Sequence, residues 1–415
     1  MRKIMASIDI GSSLIKLVVG EISKNGSLNV LASSCGPALG VKHSLVVDPE
    51  KLSRSLGSVF QKCEEALGQK ISKVILCVPS LGCDFFMSEG STTIVNEDGM
   101  IHSADVTHAL QGCTYNKVED DQEIVSIKAT SYKVDGEKIR RSPVGIEAQN
   151  LAVRALVVTV PRKNILPFIK CLEKIGVEVI DFSLGIIGDY YEFQKGMMKD
   201  SVGAIVKVGY SSTEVAIFNN GLLTNTKVFN LGAINLLKDI IYTYHLTKND
   251  ARDVLNKLTS VSTHNSNGTA RLKFTNTEGK TVEINDYEIA EIVSSRLIEI
   301  LKIVKKEINH LTKKEIHYIM LSGGVSEMPS FSLLVEEVFG HEAKIGELKE
   351  LGVRSNIYSS CVGLIKFYDE KLSLKNQDYG IFDDDELEVL VNSYTNGASS
   401  DRSILSTLFG YFFDK

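Results

Sequence analysis

The strongest constraint in this chain is a short device that occurs twice. Residues 4–19 (IMASIDIGSSLIKLVV) run strand, glycine, two serines, strand. Residues 204–218 (AIVKVGYSSTEVAIF) repeat that outline. Each copy predicts a strand that turns at a glycine (Gly11 in the first, Gly209 in the second) and returns as its hairpin partner. Two copies of one unit predict two homologous halves built around similar sheets.

Length and composition agree with a folded, multi-unit chain. At roughly 100–200 residues per domain, 415 residues predict two to four units. Hydrophobic residues make up 43% and charged residues 24%, which excludes global disorder. The net charge of −6 leaves only a local basic patch as a route to nucleic acid. With 32 glycines against 7 prolines, the chain suits tight strand–helix turns, and an α/β class is expected. The 7 cysteines form no CxxC pair and read as reduced cytoplasmic thiols. Asp9 interrupts the apolar stretch a signal peptide would need, and no uninterrupted apolar run reaches about 18 residues.

Between the two hairpins the texture changes. Apolar spacing predicts a helix over 49–67 and a buried strand over 74–78 ended by Pro79. Residues 84–160 read as a small α/β insertion. Strands over 91–95, 124–132 and 152–160 accompany a helix over 103–113, with Ser103 and Asp105 as cap-type residues. A helix over 162–176, a strand over 177–182 and a helix over 185–195 follow. After the second hairpin come helices over 231–244 and 248–258, a hairpin-rich stretch over 261–284 and a long helix over 286–311. Ile289, Ile292, Val293, Leu297, Ile300, Leu301 and Val304 share one face of that helix. A strand over 316–321 leads through Gly323–Gly324 into another helix.

The first turn is built for an anion. A strand delivers Asp9 to a mouth, Gly11 turns the backbone, and Ser12 and Ser13 add N–H and O–H donors. Lys16, on the returning strand, can neutralise phosphate charge. An ordinary hairpin turn is the alternative. The second turn, Gly209–Thr213, and the glycine pair Gly323–Gly324 favour a nucleotide, gripped by phosphate from two sides and covered at its sugar and base. There is no GxxxxGK[ST] and no HxxH or CxxC metal pattern, and no histidine sits in a nucleophile motif.

Several longer segments carry a resemblance. VNEDGMIHSADVTHAL (95–110), VDGEKIRRSPVGIEAQNL (134–151), EIAEIVSSRLIEILKIVKKEI (288–308), LSGGVSEMPSF (321–331) and YSSCVGLIKF (358–367), with the DIGSS turn, resemble the FtsA family of the actin/sugar kinase/heat-shock ATPase superfamily. The resemblance implies a two-lobed actin-like fold with an inserted subdomain. The first core then comprises 1–83, 162–201 and a return at 361–372, and the insertion 84–161. The second core comprises 202–231 and 316–360, the outer subdomain 232–315. A linker over 373–400 and a helix over 401–415 complete the division.

The same resemblance implies an ATP-binding protein that tethers FtsZ filaments to the cytoplasmic face of the membrane at the division site. It also implies self-association into filaments and contact with other division proteins. Carried over by position, Asp9, Gly11, Ser12, Ser13 and Lys16 form one phosphate turn, and Gly209, Tyr210, Ser211, Ser212 and Thr213 the other. Gly323, Gly324 and Met328 lie near adenosine, Glu291 and Arg296 near the ribose or base. The FtsZ C-terminal tail is expected on the subdomain that carries Arg252, Lys257, Lys302, Lys305 and Lys306. Three positions of the second turn depart from the family. Lys207 stands where an aspartate helps hold Mg²⁺ through water, leaving Asp9 as the residue to reach such an ion. Tyr210 and Ser211 replace two glycines, adding bulk where backbone should approach phosphate. Slow hydrolysis is expected, with Lys207 neutralising phosphate or pairing with Asp9; no catalytic residue is assigned.

The end of the chain reads separately. Residues 369–401 are polar, with an acidic run Asp383–Glu386, and predict a solvated linker. Within it, 387–391 reads as a short frayed helix, with a partner motif as the alternative. Beyond it, Ile404, Leu408 and Phe412, and Leu405, Phe409 and Phe413, fall four apart and form one apolar stripe on a helix. A membrane-surface helix is expected; a helix docked on the body is the alternative. Two other functions stay open, a PilM-like cytoplasmic scaffold of a pilus machine and a metabolite kinase of the same fold.

Overall fold

The computed structural model describes residues 3–23, 26–374, 380–382 and 386. The Leu387–Val391 piece, most of the acidic run and the stripe from Ile404 to Phe413 lie outside the described residues.

The first hairpin nucleates the first sheet. Strand β1 (Lys3–Ile10) pairs antiparallel with β2 (Leu14–Ile22), which pairs antiparallel with β3 (Leu28–Pro37). Helix α1 (Pro49–Leu67) is started by the Asp48 carboxylate accepting from the Lys51 N–H at 3.0 Å. It buries Leu52, Leu56, Val59 and Phe60. Strand β4 (Lys73–Val78) then lies parallel to β1.

The chain next leaves this sheet for the insertion. Strand β5 (Asp84–Thr93), helix α2 (Ser103–Gly112), β6 (Gln122–Val134) and β7 (Asn150–Pro161) form a separate unit with the short strand Glu137–Ile139. All of its strand pairs are antiparallel, and Ile101, Ala109, Leu151, Val153 and Ala155 make its own small core. The cap of α2 is shifted from expectation. Asp105 accepts from the His102 N–H at 2.7 Å, which places His102 at the cap and Ser103 inside the helix.

Helix α3 (Leu166–Glu173) leads back to β8 (Glu178–Leu184), parallel to β4, and the first sheet closes in the order β8-β4-β1-β2-β3. The expected helix over 162–176 is shorter because Pro167 fits only its first turn, and residues 162–164 form a single 3₁₀ turn instead. Helix α4 (Gly185–Phe193) is buried along its whole length and leads to the second half.

There the plan repeats. Strands β9 (Val202–Val208), β10 (Thr213–Asn219) and β11 (Leu222–Phe229) form an antiparallel meander. Helices α5 (Ala233–Tyr244) and α6 (Lys248–Leu258) follow, then the hairpin β12 (Arg271–Thr275) and β13 (Thr281–Asn285). Helix α7 (Asp286–Leu311) buries Ile289, Val293, Leu297, Ile300, Leu301 and Val304, the expected face, while Ile292 is half-buried. Strand β14 (Tyr318–Ser322) runs parallel to β9, helix α8 (Phe331–Phe339) follows, and β15 (Ala343–Ile345) is parallel to β14. The second sheet has the order β11-β10-β9-β14-β15, the pattern of the first. The duplication seen in 31 residues of sequence therefore extends to two whole sheets.

Helix α9 (Ser359–Leu374) returns to the first half and packs across α4. It extends past residue 369, where the polar texture begins. That polar stretch is not solvated throughout. Ile381 and Phe382 are each 2% exposed within the first core, and the Ile381 N–H donates to the Ile4 carbonyl at 2.9 Å. Two apolar residues in a polar run suffice to dock it, because they bury their side chains and complete a backbone bond at once.

Candidate functional site

A cavity of about 640 Å³ opens between the two halves, a volume suited to a small organic ligand. Its floor is made by the two hairpin turns. In each, the glycine N–H donates to the carbonyl three residues on: Gly11 to Leu14 at 3.0 Å, Gly209 to Ser212 at 2.9 Å. The turns are thus superimposable in chemistry, and Lys207 holds in the second the place Asp9 holds in the first. Strand register extends the comparison. Asp9 pairs across its hairpin with Lys16, and Lys207 with Glu214. The order is acid then base in one half and base then acid in the other.

These charges meet across the cavity. The Lys16 ammonium lies 2.8 Å and the Lys207 ammonium 3.2 Å from the same oxygen of Asp9, Oδ2. Burial works against ionisation of Asp9, but the two ammoniums hold its carboxyl well below the usual carboxylate range. Burial likewise disfavours the charged form of Lys207, and Asp9, Asp189 and Glu214 overcome it, raising the ammonium above its ordinary value. Lys207 also donates to the Ser360 hydroxyl at 2.7 Å. Behind it, the fully buried Asp189 of α4 accepts from Ser322 at 3.1 Å, Ser359 at 2.5 Å and Ser360 at 2.8 Å. Glu214 accepts from the Ser80 hydroxyl, and burial pushes its carboxyl up to about 7. Cys77 lines the same floor, but burial and the neighbouring Cys361 raise its thiol well above the ordinary value, so it is no nucleophile.

The other wall belongs to the second half. Gly323 has φ +89°, and a Cβ there would stand 2.4 Å from the Val208 carbonyl oxygen. Only glycine lets the 323–324 turn descend onto the strand that carries Lys207. Gly324, Met328 and Pro329 continue the lining, as do Ala233 and Leu237. Arg252, Leu255 and Asn256 of α6 complete it, with Thr259 just beyond the end of the helix.

Most of the residues singled out from sequence converge here. Asp9, Gly11, Ser12, Ser13 and Lys16 line the cavity, as do Lys207, Gly209, Tyr210, Ser211 and Ser212, and then Gly323, Gly324 and Met328. Three do not line it. Thr213 is fully buried and donates to the Leu231 carbonyl at 2.8 Å, so it ties β10 to the start of α5. Glu291 is exposed on α7, and Arg296 is held by Asp239 of α5 through two bonds of 2.7 and 2.9 Å. Helix α6 takes the place expected for α7.

The basic group divides for the same reason. Arg252 points at the cavity, whereas Lys257, five residues on, lies on a different face and pairs with Asp253 at 3.5 Å. Lys302, Lys305 and Lys306 are all exposed on α7, and Lys305 donates to the Val338 carbonyl at 2.6 Å near the end of α8. Glu214, Ser360 and Asp189 were missed. Only Glu214 had a sequence signal, its place opposite Lys207 in the repeated hairpin.

The donor set fits a phosphorylated ligand. The Ser211 hydroxyl is buried in the cavity with no hydrogen-bond partner, and two ammoniums share one carboxylate oxygen. It does not fit a divalent cation. Asp9 Oδ2 already faces two ammoniums, and among the described residues no three His, Cys, Asp or Glu could hold a metal ion.

Two like-folded halves with a cleft between paired hairpin turns, and a sheet unit inserted in the first half, define a protein of the actin-like ATPase fold class. A family model described as "Cell division protein FtsA" matches residues 204–363, and one described as "SHS2 domain inserted in FTSA" matches residues 83–159, together more than half of the chain. The chain belongs to the FtsA family of cell division proteins. It is 26% identical over 368 residues to cell division protein FtsA of Bacillus subtilis strain 168, covering 88% of this chain and 83% of that relative. A structure of the PilM–PilN type IV pilus biogenesis complex matches with TM-score 0.58 at 14% identity, over 87% of this chain and 97% of that one. ADP-bound MreB5 of Spiroplasma citri matches with TM-score 0.52 at 13% identity, over 90% and 99%. These two likenesses show the fold alone.

Proposed function

We propose that this protein binds ATP in the cleft and acts as a membrane adaptor of the division machinery, holding FtsZ filaments at the membrane through its C-terminal stripe. The observation that carries the nucleotide reading is the cavity floor, where Lys16, Lys207 and the unpartnered Ser211 hydroxyl face one space. Lys16 and Lys207 hold the phosphates between the two turns. Gly323, Gly324, Met328 and the α6 residues receive the nucleoside. A neighbour of the same fold is solved bound to ADP, which supports a nucleotide as the ligand. Hydrolysis is slow in this reading, because an ammonium, Lys207, stands where a carboxylate would organise metal and water, and Asp9 is paired with two lysines.

Family membership and the stripe favour the adaptor over a pilus scaffold. Family membership likewise favours the adaptor over a metabolite kinase. Lys302 and Lys306 are the rim that receives the acidic FtsZ tail. Among the described residues no helix is long and apolar enough to cross a membrane, so attachment falls to the tail.

Calorimetry tests the nucleotide reading. ATP should bind, and Lys16→Ala should weaken it roughly 10- to 100-fold, as expected for losing a charge-assisted bond of about 1.5–3 kcal/mol. No heat at millimolar ATP ends the proposal. The pH dependence has a definite sign. Below pH 7 Glu214 is largely neutral and the floor (Lys16, Lys207, Asp9) carries one net positive charge; above it Glu214 ionises and cancels that charge. Glu214→Gln should therefore match wild type at pH 6 and bind ATP more tightly at pH 8, by on the order of 1 kcal/mol. An equal affinity at pH 8 would show that Glu214 does not face the phosphates.

A further inference from the structure

We propose that the Lys207 ammonium occupies the role of the divalent cation, so that this cleft binds nucleoside polyphosphates without metal; the inference rests on the nucleotide reading above.

The pseudo-symmetry of the two halves states the problem. Position 9, next to last in β1, bears a carboxylate, and the matching position of β9 bears an ammonium. Had both been acidic, two carboxylates would face each other across the cleft and require a cation between them. Here the second position supplies its own cation. Lys207 Nζ bridges Asp9 Oδ2 at 3.2 Å and Ser360 Oγ at 2.7 Å, reaching from the second half to groups of the first and of α9. It is a fixed positive charge at the junction of the halves, where a bound metal would otherwise join them.

Three features make this a built arrangement. Lys207 is oriented by two acceptors, which spend two of its three donors. Ser360 is itself held by Asp189 at 2.8 Å, so the acceptor is positioned from behind. Asp9 is shared with Lys16 at 2.8 Å, which leaves its bound oxygen no role as a metal ligand and keeps two ammoniums close to any ion that might approach. A hard divalent cation needs several oxygen ligands and is repelled by such neighbours. A polyphosphate is attracted by the same pair, and the hydroxyl of Ser211 remains to be satisfied.

The test is ATP titration of the full chain by calorimetry, once with excess Mg²⁺ and once with EDTA. The expected wild-type result is an affinity that differs less than about threefold between the two buffers, a change under about 0.7 kcal/mol. Lys207→Met should weaken binding at least about tenfold in both buffers, and Lys207→Asp should bind only with Mg²⁺. Wild-type binding that requires Mg²⁺ overturns this inference while leaving the nucleotide reading in place. No binding in either buffer overturns both. The wild-type pair of titrations decides the matter even if a variant fails to fold.

Discussion

Replacing Leu408 and Phe412 together with Glu is expected to move the protein from the vesicle-bound to the soluble fraction, with ATP and FtsZ binding retained. The stripe Ile404, Leu405, Leu408, Phe409, Phe412 and Phe413 offers six large apolar side chains. Full burial of each releases roughly 1.5–3 kcal/mol. A helix lying in the interface realises only part of this and costs backbone entropy to order. On the proposed reading the net is on the order of a few kcal/mol, which would make a reversible attachment for one chain. The nearly neutral tail, with Asp401 and Arg402 before the stripe and Asp414 and Lys415 after it, adds little attraction to anionic lipid. Linked copies bind far more firmly through effective concentration, so filament formation would convert a weak anchor into a stable one.

Two carboxylates in one row of the stripe remove two contacts and place charge at the acyl boundary. Vesicle affinity should fall roughly 100-fold or more, equivalent to about 3 kcal/mol. Flotation in a density gradient reads this directly, and a double variant that still floats places the anchor elsewhere. In the same assay the wild-type protein should carry FtsZ to the vesicles. Lys302→Glu with Lys306→Glu should leave the protein floating while FtsZ stays behind; undiminished FtsZ would move its docking surface away from α7.

The second large effect concerns stability. A Cβ at Gly363 would stand 1.7 Å from the Gly188 carbonyl oxygen, and one at Gly188 would stand 2.2 Å from that of Ser360. Helices α4 and α9 thus cross backbone to backbone, and no side chain fits between them. Around the crossing, Asp189 accepts from Ser359 and Ser360, and Lys366 of α9 lies 2.7 Å from Glu192 of α4. Gly363→Ala must part the helices and break several of these bonds together. A loss of about 3 kcal/mol or more is expected, at or beyond the upper end of ordinary overpacking. Because Ser360 holds Lys207, ATP affinity should fall as well. Gly57→Ala in α1 is the control: its Cβ meets nothing within 4 Å, and helix propensity predicts a gain of roughly 0.5–1 kcal/mol. Denaturant midpoints for both variants check this, and a Gly363→Ala protein as stable as wild type would show that the crossing is loose.

Much of this protein was readable along the chain because its signals are local. The two hairpins announce themselves by glycine and serine between apolar runs, and α7 by seven apolar residues at helical spacing, all but Ile292 fully buried. The turn residues that line the cavity were readable too, since each turn brings its own donors. Errors arose where a residue's role depends on a partner far away in sequence. Arg252 read as one of a group of basic residues, but a position five residues from Lys257 faces another direction on a helix. Ile381 and Phe382 read as part of a polar tract, and nothing nearby reveals that strand β1 has an open carbonyl for them.

Periodicity decides which face of an element is apolar and where its turns fall, for these depend on neighbours within a few residues. It does not decide which faces meet. Lys207 and Asp9 are 198 residues apart and touch only because two sheets of like order close on one cleft. The sequence alone determined the paired hairpins, the long helix and the phosphate-suited turns. The tertiary structure alone decided that α6 rather than α7 lines the cavity, that two glycines must meet where α4 crosses α9, and that Lys207 faces a carboxylate already held by another lysine. Charge and steric fit at such points are properties of distance in space, which the spacing of residues along the chain does not encode.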